Sequence, residues 1–461
     1  MDRARAVALL LAGGLLAGTA AGPALAGSDG SWVGINPGHG ALLADADYAR
    51  AAARETTALG LGLTRIGIDG VGGDSVGAPF DWTARDRAID IFRAAGIEVR
   101  GVVSFRSHVA QTGDVDANWR HFVREVALHY RGRIGYYILD NEPDRARVPP
   151  ELAVARACAA YAEIKAVDPA IRVESPPTAS AGAAYLGRMI ELGVTRCADV
   201  LGVHSYGAQL DEGDRQGLDR PWRLMARSGQ PVIPVADSEG GNSYTWAPRG
   251  AADPYRWQAR WYRLAWLQHK RYGYDSLMLF SLRSPQGLWD VASWQDGRFV
   301  PNAPVAAAVL GYQRRPFADG GFEAATGPDS PWITVTRLAE AEPDSAGIDL
   351  AAGQARSGRH ALRMQGPGQV RQVAELLTPG QPLRLSAWVR VEDAATAQLK
   401  ALGFDRLAGD AEIVASAERS TDGSWHELAL TVTPTRSWVV VSLEATGAGA
   451  VTWDDVALVS R

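Results

Sequence analysis

The chain is organised around Ile134–Asp144, which reads IGYYILDNEPD. The run begins with apolar residues, typical of a strand buried on both faces, and it ends abruptly in Asp140, Asn141 and Glu142. Pro143 cannot continue the strand, and it biases Glu142 toward an extended conformation. Because burial at a strand exit raises the pKa of a carboxyl group, we predict that Glu142 donates a proton near neutral pH. The alternative is a solvated acid that caps the following helix.

Short apolar runs alternate with amphipathic stretches from Ser31 to about Arg315, a rhythm typical of parallel βα units. Helical patterns occupy Asp45–Leu59, Asp86–Ala95, Trp119–Tyr130 and Glu151–Val167. The eight predicted strands are Trp32–Asn36, Leu63–Asp69, Ile97–Ser104, the run that leads into Glu142, Ile171–Ser175, Val200–His204, Val232–Ala236 and Ser276–Ser281. Eight such units predict an α/β fold, a (β/α)8 TIM barrel with its active site at the carboxyl ends of the strands. A doubly wound sheet is the alternative.

Further polar residues fall at predicted strand exits. Strand seven leads into Glu239, a second carboxylate three βα units beyond Glu142, although Pro234 would remove a ladder hydrogen bond from that strand. Arg65 lies on strand two, and an arginine directed into a barrel needs a carboxylate partner because it cannot deprotonate. His204 and Tyr206 end strand six. The alternative for Arg65 is an ion pair at the bottom of the barrel.

The triplet Asn141-Glu142-Pro143 resembles the strand-four motif of the clan A retaining glycoside hydrolases. The resemblance implies that Asn141 contacts the sugar, that Glu142 is the acid/base and that Glu239 is the nucleophile. It also implies that Arg65 keeps the nucleophile ionised and that the Tyr206 hydroxyl, next to His204, bonds to it. The sequence departs from the clan before Glu239, where Asp237 and Ser238 replace the usual aromatic residue and Thr.

Many clan members end strand eight in a tryptophan that forms the floor of a sugar subsite, and this strand instead ends in Leu279-Phe280-Ser281. Trp289 or Trp294 in the next loop is the candidate substitute, and Tyr244 is a further candidate substrate contact. Glu174, at the end of strand five, competes for a place in the site. The barrel resembles family thirty-nine and related exopolysaccharide-degrading glycosidases.

The pattern changes near Pro316, where short alternating runs separated by turn residues replace the helices. Such runs predict an all-β jelly-roll sandwich over residues 316–461, smaller than the barrel at residues 27–315. Ser357–Leu362, Leu385–Val389 and Trp453–Val456 resemble segments of the carbohydrate-binding modules found beside glycosidases. The alternative is a sandwich that binds nothing and only positions its neighbour.

The start of the chain predicts export. Met1–Ala26 has a basic start, a short apolar core and a small-residue cleavage site, which is typical of a signal peptide. We therefore expect a secreted or periplasmic protein without a membrane span. Export permits a bond between Cys158 and Cys197, but spacing alone does not show one, and we expect two buried free thiols.

Composition narrows the range of partners. The formal net charge of -5 on 461 residues argues against a nucleic-acid partner. The eight histidines show no pair at ligand spacing, so we expect no metal, and no glycine loop of the phosphate-cradling kind calls for a nucleotide cofactor. We expect a monomer whose partner is a polysaccharide or oligosaccharide.

The resemblance implies a retaining glycoside hydrolase that cleaves β-glycosidic bonds, endo-acting, by double displacement on two glutamates. A transglycosidase would use the same residues. The rival class is a non-catalytic carbohydrate-binding surface protein on a glycosidase scaffold, but both glutamate positions are filled. A secreted esterase lacks the context of a nucleophilic serine, because no Gly-x-Ser-x-Gly elbow is present.

Overall fold

A computed structural model describes residues 32–69, 79–105, 114–179, 184–206, 218–247, 253–284, 287–310, 317–323, 332–334, 348–350, 354–375, 377–405, 410–420 and 423–460. The predicted signal peptide, Met1–Ala26, lies outside the described residues.

Eight parallel strands form the first part of the fold. They are β1 (Val33–Ile35), β2 (Leu63–Gly67), β3 (Glu98–Val103), β4 (Tyr136–Leu139), β5 (Arg172–Glu174), β6 (Leu201–Tyr206), β7 (Val235–Gly241) and β8 (Leu277–Leu279). Their order is β5-β4-β3-β2-β1-β8-β7-β6, and single bridges from Glu174 to Val200 and from Thr178 to Val203 join the two edges. The order β2-β1-β8 with bridged edges is that of a barrel, so the TIM barrel is confirmed and the doubly wound alternative is wrong.

Helices surround this barrel: α1 (His39–Ala44), α2 (Ala46–Ala58), α3 (Thr83–Ala94), α4 (Val115–His129), α5 (Pro150–Val167), α6 (Ala184–Glu191), α7 (Arg220–Ser228), α8 (Pro254–Tyr272) and α9 (Ala303–Leu310). Their ends follow local chemistry. Asp253 caps α8 by accepting from the backbone N–H groups of Tyr255 and Arg256, and Gly273 ends it at φ 67°. The four helices predicted from the sequence are confirmed to within a few residues.

Strand β7 differs most from its prediction. It begins at Val235, after Pro234, so the proline removes no ladder bond. The carbonyl oxygen of Pro234 accepts from Leu201 N at 2.8 Å. The strand then continues through Glu239, which lies inside the element and not beyond its end. The register shifts against β6 between Val203 and His204, and against β8 between Asp237 and Gly240. This bulge is where Glu239 leaves the regular pleat.

The two cysteines are bonded, so the expectation of free thiols is wrong. Cys158 on α5 and Cys197 have Cα atoms 4.8 Å apart and an S–S distance of 2.09 Å. Cys197 follows a 3-10 turn, Val194–Arg196, that packs beside α5. The bond closes a loop with a sequence separation of 39, which corresponds to a stabilisation of about 4 kcal/mol on the chain-entropy view.

The rest of the chain is antiparallel. A hairpin, β9 (Ala292–Gln295) and β10 (Arg298–Pro301), precedes α9. Two five-stranded sheets follow, in the orders β11-β14-β19-β16-β17 and β12-β13-β20-β15-β18. Their strands are β11 (Ile333–Thr334), β12 (Ile348–Leu350), β13 (Leu362–Gln365), β14 (Gly368–Glu375), β15 (Leu383–Glu392), β16 (Ala395–Asp405), β17 (Asp410–Ser420), β18 (Trp425–Val432), β19 (Trp438–Gly447) and β20 (Ala450–Ser460). The predicted all-β region is confirmed.

One sheet of the sandwich packs on the barrel. Its residues Ile333, Val373, Leu402 and Val440 belong to the same buried apolar cluster as the barrel core. At the centre of the contact, Lys270 of α8 lies 2.7 Å from Glu375, with both side chains over 90% buried, and its ammonium group lies 4.6 Å from the centre of the Trp438 ring. Trp438 Nε1 donates to the Lys270 carbonyl oxygen at 3.0 Å. The sandwich therefore completes the barrel's core beside α8.

Among the described residues, no helix combines the length and apolarity that a bilayer crossing requires.

We predict that Lys270→Met lowers the free energy of unfolding by about 3 to 5 kcal/mol, because it leaves the buried Glu375 carboxylate without its cation. Urea denaturation measures the change. Arg50→Met is the matched control: it breaks an exposed pair with Asp47, where we expect less than about 1 kcal/mol. Equal effects of the two substitutions would show that the buried pair adds nothing to the interface.

Candidate active site

Polar side chains on or just after four strands meet at the carboxyl end of the barrel. Arg65 comes from β2, Glu142 follows β4, His204 and Tyr206 end β6, and Glu239 lies on β7. One carboxylate oxygen of Glu142, one of Glu239 and a ring nitrogen of His204 all lie within 4.8 Å of one another. All five residues except Tyr206 are buried. The sequence-predicted carboxylates thus share one cleft.

The backbone at Glu142 differs from the expected extended conformation, because its φ is +46°, in the left-handed region. Asp140, two residues earlier, has φ +56°. One tertiary and one local hydrogen bond hold this turn: Glu142 N donates to Pro177 O at 3.0 Å, and the Asp140 side chain accepts from Asn141 N at 2.8 Å. The conformation is costly for a residue before proline, and such strain is tolerated where tertiary contacts fix it.

Glu239 is held by a cation and a hydroxyl. Arg65 Nη1 lies 3.0 Å from Glu239 Oε1, and the Tyr206 hydroxyl donates to Oε2 at 2.8 Å. The same guanidinium donates to Ser238 O at 2.7 Å and to Asn141 Oδ1 at 2.8 Å. Arg65 therefore ties the exits of β4 and β7 together, and it supplies the charge that an ionised carboxylate requires.

The Tyr206 hydroxyl keeps its proton at neutral pH and is a hydrogen-bond donor. Burial, and then the negative charge of Glu239, hold the pKa of its hydroxyl well above the usual value for tyrosine. The proton consequently stays on the phenol and points at Glu239 Oε2.

Glu142 has a different environment from the one expected. Burial raises the pKa of its carboxyl, but the hydrogen bond and charge of His204, helped by Arg145 and Arg65, outweigh burial and leave that pKa below the usual value. His204 Nδ1 lies 3.0 Å from Glu142 Oε1 and 3.5 Å from Glu239 Oε2. The prediction that burial alone makes Glu142 a proton donor near neutral pH is therefore wrong for the free protein.

Arg145 was missed by the sequence analysis. Its Nη1 lies 3.4 Å from Glu142 Oε2, while 70% of its side chain stays exposed. The i,i+3 spacing between Glu142 and Arg145 was the sequence signal that could have revealed this contact.

Glu142, Glu239 and His204 together are also a donor set for a divalent cation. However, Arg65 and Tyr206 already contact both oxygens of Glu239.

The aromatic candidates lie at different places. Trp289 packs on Phe280 at 5.8 Å between ring centres, and Phe280 packs in turn on Tyr206 at 6.1 Å, so Trp289 borders the site. Trp294 packs between Tyr48 and Phe299. Tyr244, in a 3-10 turn (Tyr244–Trp246) after β7, packs on Tyr255 at the start of α8.

Glu174, the competing acid, lies inside the barrel with no exposed surface. Burial raises the pKa of its carboxyl, and Tyr136 donates to its Oε2 at 2.8 Å. It is a packed interior group and does not line the cleft.

No protein-family model matches this chain, and no curated protein matches it.

Solved structures do match it. A family 39 glycoside hydrolase from Bacteroides cellulosilyticus is 11% identical, with a TM-score of 0.50 and coverage of 94% of this chain and 81% of that one. A monomeric β-xylosidase from Caulobacter crescentus is 15% identical, with a TM-score of 0.46 and coverage of 89% and 95%. A bacterial orthologue of human α-L-iduronidase is 13% identical, with a TM-score of 0.46 and coverage of 90% and 81%. The likeness to the family 39 glycoside hydrolase, at 11% identity, shows a shared fold.

We predict that His204→Phe raises the pKa of Glu142, because the largest lowering influence is removed while burial remains. A ¹³C NMR titration of the glutamate carboxyls measures it, with Glu142→Gln assigning the signal. In the wild type, the depressed pKa stabilises the folded state above the unfolded-state pKa, and this stability is lost as pH falls through the folded-state value. The His204→Phe variant should lose less folding stability than the wild type as the pH falls. His129→Phe, at an outer His–Asp pair, is the control; an unmoved Glu142 signal in His204→Phe contradicts the account.

Proposed function

We propose that this chain is a secreted or periplasmic retaining glycoside hydrolase that cleaves β-glycosidic bonds of a polysaccharide or oligosaccharide, in endo fashion. The observation that carries the proposal is the pair of carboxylates with oxygens within 4.8 Å of one another at the carboxyl end of the barrel. Retaining enzymes have their carboxyl groups about 5 to 5.5 Å apart, and inverting ones about 6.5 to 9.5 Å, which leaves room for a water. The close spacing supports double displacement.

In the first step, Glu239 Oε attacks the anomeric carbon and forms a glycosyl ester while the glycosidic C–O bond breaks. Glu142 gives its proton to the departing oxygen, so the leaving group departs as an alcohol. Arg65 and Tyr206 fix the attacking carboxylate, each through one oxygen. Because both contacts preserve the orientation of Glu239, the attack costs little reorganisation.

In the second step, Glu142, now ionised, takes a proton from a water that attacks the same anomeric carbon. The ester bond breaks, Glu239 is released as a carboxylate, and the sugar keeps its original configuration. The lowered pKa of free Glu142 suits this base role at neutral pH. The acid role of the first step is favoured in acidic solution, or after a bound sugar excludes water from Glu142.

The sandwich is proposed to be a carbohydrate-binding-module-like domain. Its outer sheet face carries Trp388 and Trp425, both half-buried, and the Arg356 guanidinium lies 3.7 Å from the centre of the Trp388 ring. Aromatic and arginine side chains together are suited to sugar contacts, and this pairing supports the proposal.

Glu142→Ala should remove a general-acid contribution of roughly 10² to 10⁴ for natural glycosides, yet spare aryl glycosides whose leaving group needs no proton. Its slow step becomes ester hydrolysis, so azide should speed turnover and give a glycosyl azide of retained configuration. Glu239→Gly lacks the nucleophile, so both substrates should fail and azide should give the inverted product.

NMR of the azide adducts reads these outcomes on a panel of aryl glycosides. Glu151→Ala, an exposed surface acid, is the control and should keep wild-type turnover. An inverted azide product from Glu142→Ala and a retained one from Glu239→Gly would mean that Glu142 is the nucleophile and Glu239 the acid/base. Wild-type activity in both variants would contradict the assignment, and a wild type that binds oligosaccharides without turnover would be a carbohydrate-binding protein.

A further inference from the structure

Behind the site lies a fully buried pair, Asp237 on β7 and His269 on α8. His269 Nε2 is 2.8 Å from Asp237 Oδ2, and neither side chain has exposed surface. The mechanism above assigns neither residue a role.

Asp237 is surrounded by donors. Its Oδ1 accepts from the backbone N–H of Glu239 at 3.2 Å and of Ser205 at 3.3 Å. Its Oδ2 accepts from Ser205 Oγ and faces His269 Nε2. An ionised carboxylate offers about four acceptor sites and no donor, so these four contacts match the ionised form.

His269 is surrounded by acceptors. Its Nδ1 lies 2.6 Å from the Ala265 carbonyl oxygen, which only accepts, and its Nε2 faces the Asp237 carboxylate. With Asp237 ionised, both ring nitrogens carry a hydrogen, and the ring is an imidazolium. Among the described residues, Tyr274 also packs on this ring, with 4.5 Å between the two ring centres. Burial and then the charge of Asp237 hold the Tyr274 pKa well above its usual value, so its hydroxyl stays neutral.

The pair sits where the barrel departs from regular pairing. Val203 pairs with Asp237, but the next residue, His204, pairs with Glu239, so Ser238 is the extra residue of a bulge. Backbone N–H groups at a bulge lose their ladder partners. The Asp237 side chain accepts from the backbone N–H of Glu239 on β7 and from that of Ser205 on β6, the residue between His204 and Tyr206.

We propose that Asp237 and His269 form a buried ion pair that positions Glu239, and with it Tyr206 and His204, for the reaction. They are positioning residues, since neither touches the cleft carboxylates with its side chain. The cation is needed because a buried carboxylate without one is strongly disfavoured. Its effect on turnover rests on the proposed function, while the ion pair and the bulge it holds do not.

Two variants distinguish the negative charge of Asp237 from its role as a hydrogen-bond acceptor. Asp237→Asn removes only the charge, and Asp237→Ala removes both. The asparagine oxygen can still accept from both backbone N–H groups, and its amide can donate to Nε2 of a neutral His269. We expect His269 to lose one proton while kcat falls less than about tenfold. Alanine removes every acceptor, and a displaced Glu239 should lower kcat by about 100-fold, with a smaller change in KM.

Three measurements test the proposal: ¹⁵N NMR of the His269 ring with His269→Gln for assignment, hydrogen exchange of the Glu239 and Ser205 amides, and kcat and KM on aryl glycosides. The wild type should show two protonated ring nitrogens and protected amides, and Asp237→Ala should lose that protection. Asp86→Ala breaks another His–Asp pair, on outer helices, and should leave kcat unchanged.

A wild-type His269 with an unprotonated ring nitrogen overturns the ion pair. Wild-type kcat and amide protection in Asp237→Ala overturn the positioning role. If Asp237→Ala does not fold, the protonation of the His269 ring in the wild type and in Asp237→Asn still tests the ion pair. A His269 ring that keeps both protons in Asp237→Asn contradicts the proposal. A wild type that hydrolyses no glycoside contradicts the proposed function alone, because ring protonation and amide protection are read without substrate.

Discussion

The carboxylates of Glu142 and Glu239 lie within 4.8 Å of each other in a buried cleft. The surrounding residues must therefore offset the repulsion between two negative charges. If both were ionised and unscreened, they would repel by about 3 kcal/mol at an effective dielectric constant of about 20. Arg65 faces one and His204 faces the other, and Tyr206 donates to a third oxygen. The cleft thereby gives two chemically identical side chains different surroundings, which is how a fold assigns different protonation states to them.

Helix α8 contacts both the barrel strand that carries Glu239 and the sandwich. His269 on this helix faces Asp237 in the barrel, and the next residue, Lys270, faces Glu375 in the sandwich. One helix thus fixes the bulge that carries Glu239 on one side and anchors the second domain on the other. The sandwich therefore packs on the same helix that faces Asp237.

The sequence predicted the barrel because apolar runs alternate with amphipathic helices, and it predicted both glutamates because each follows a buried run. It placed β7 too early, because a bulge at Ser238 has no periodic signature. It misjudged the backbone of Glu142, since the pre-proline bias is overridden by the tertiary bond to Pro177. The disulfide and the Asp237–His269 pair join residues 39 and 32 positions apart, and only the fold brings such partners together.

The configuration of the first sugar released tests the central claim, that Glu142 and Glu239 act by double displacement. Proton NMR of the anomeric signal, recorded within minutes of adding enzyme to a cleaved β-glycoside, reads it before mutarotation mixes the anomers. The close spacing of the carboxylates predicts that the β anomer appears first. Initial appearance of the α anomer would contradict the mechanism, because it requires a water between the two carboxylates for which their separation leaves no room.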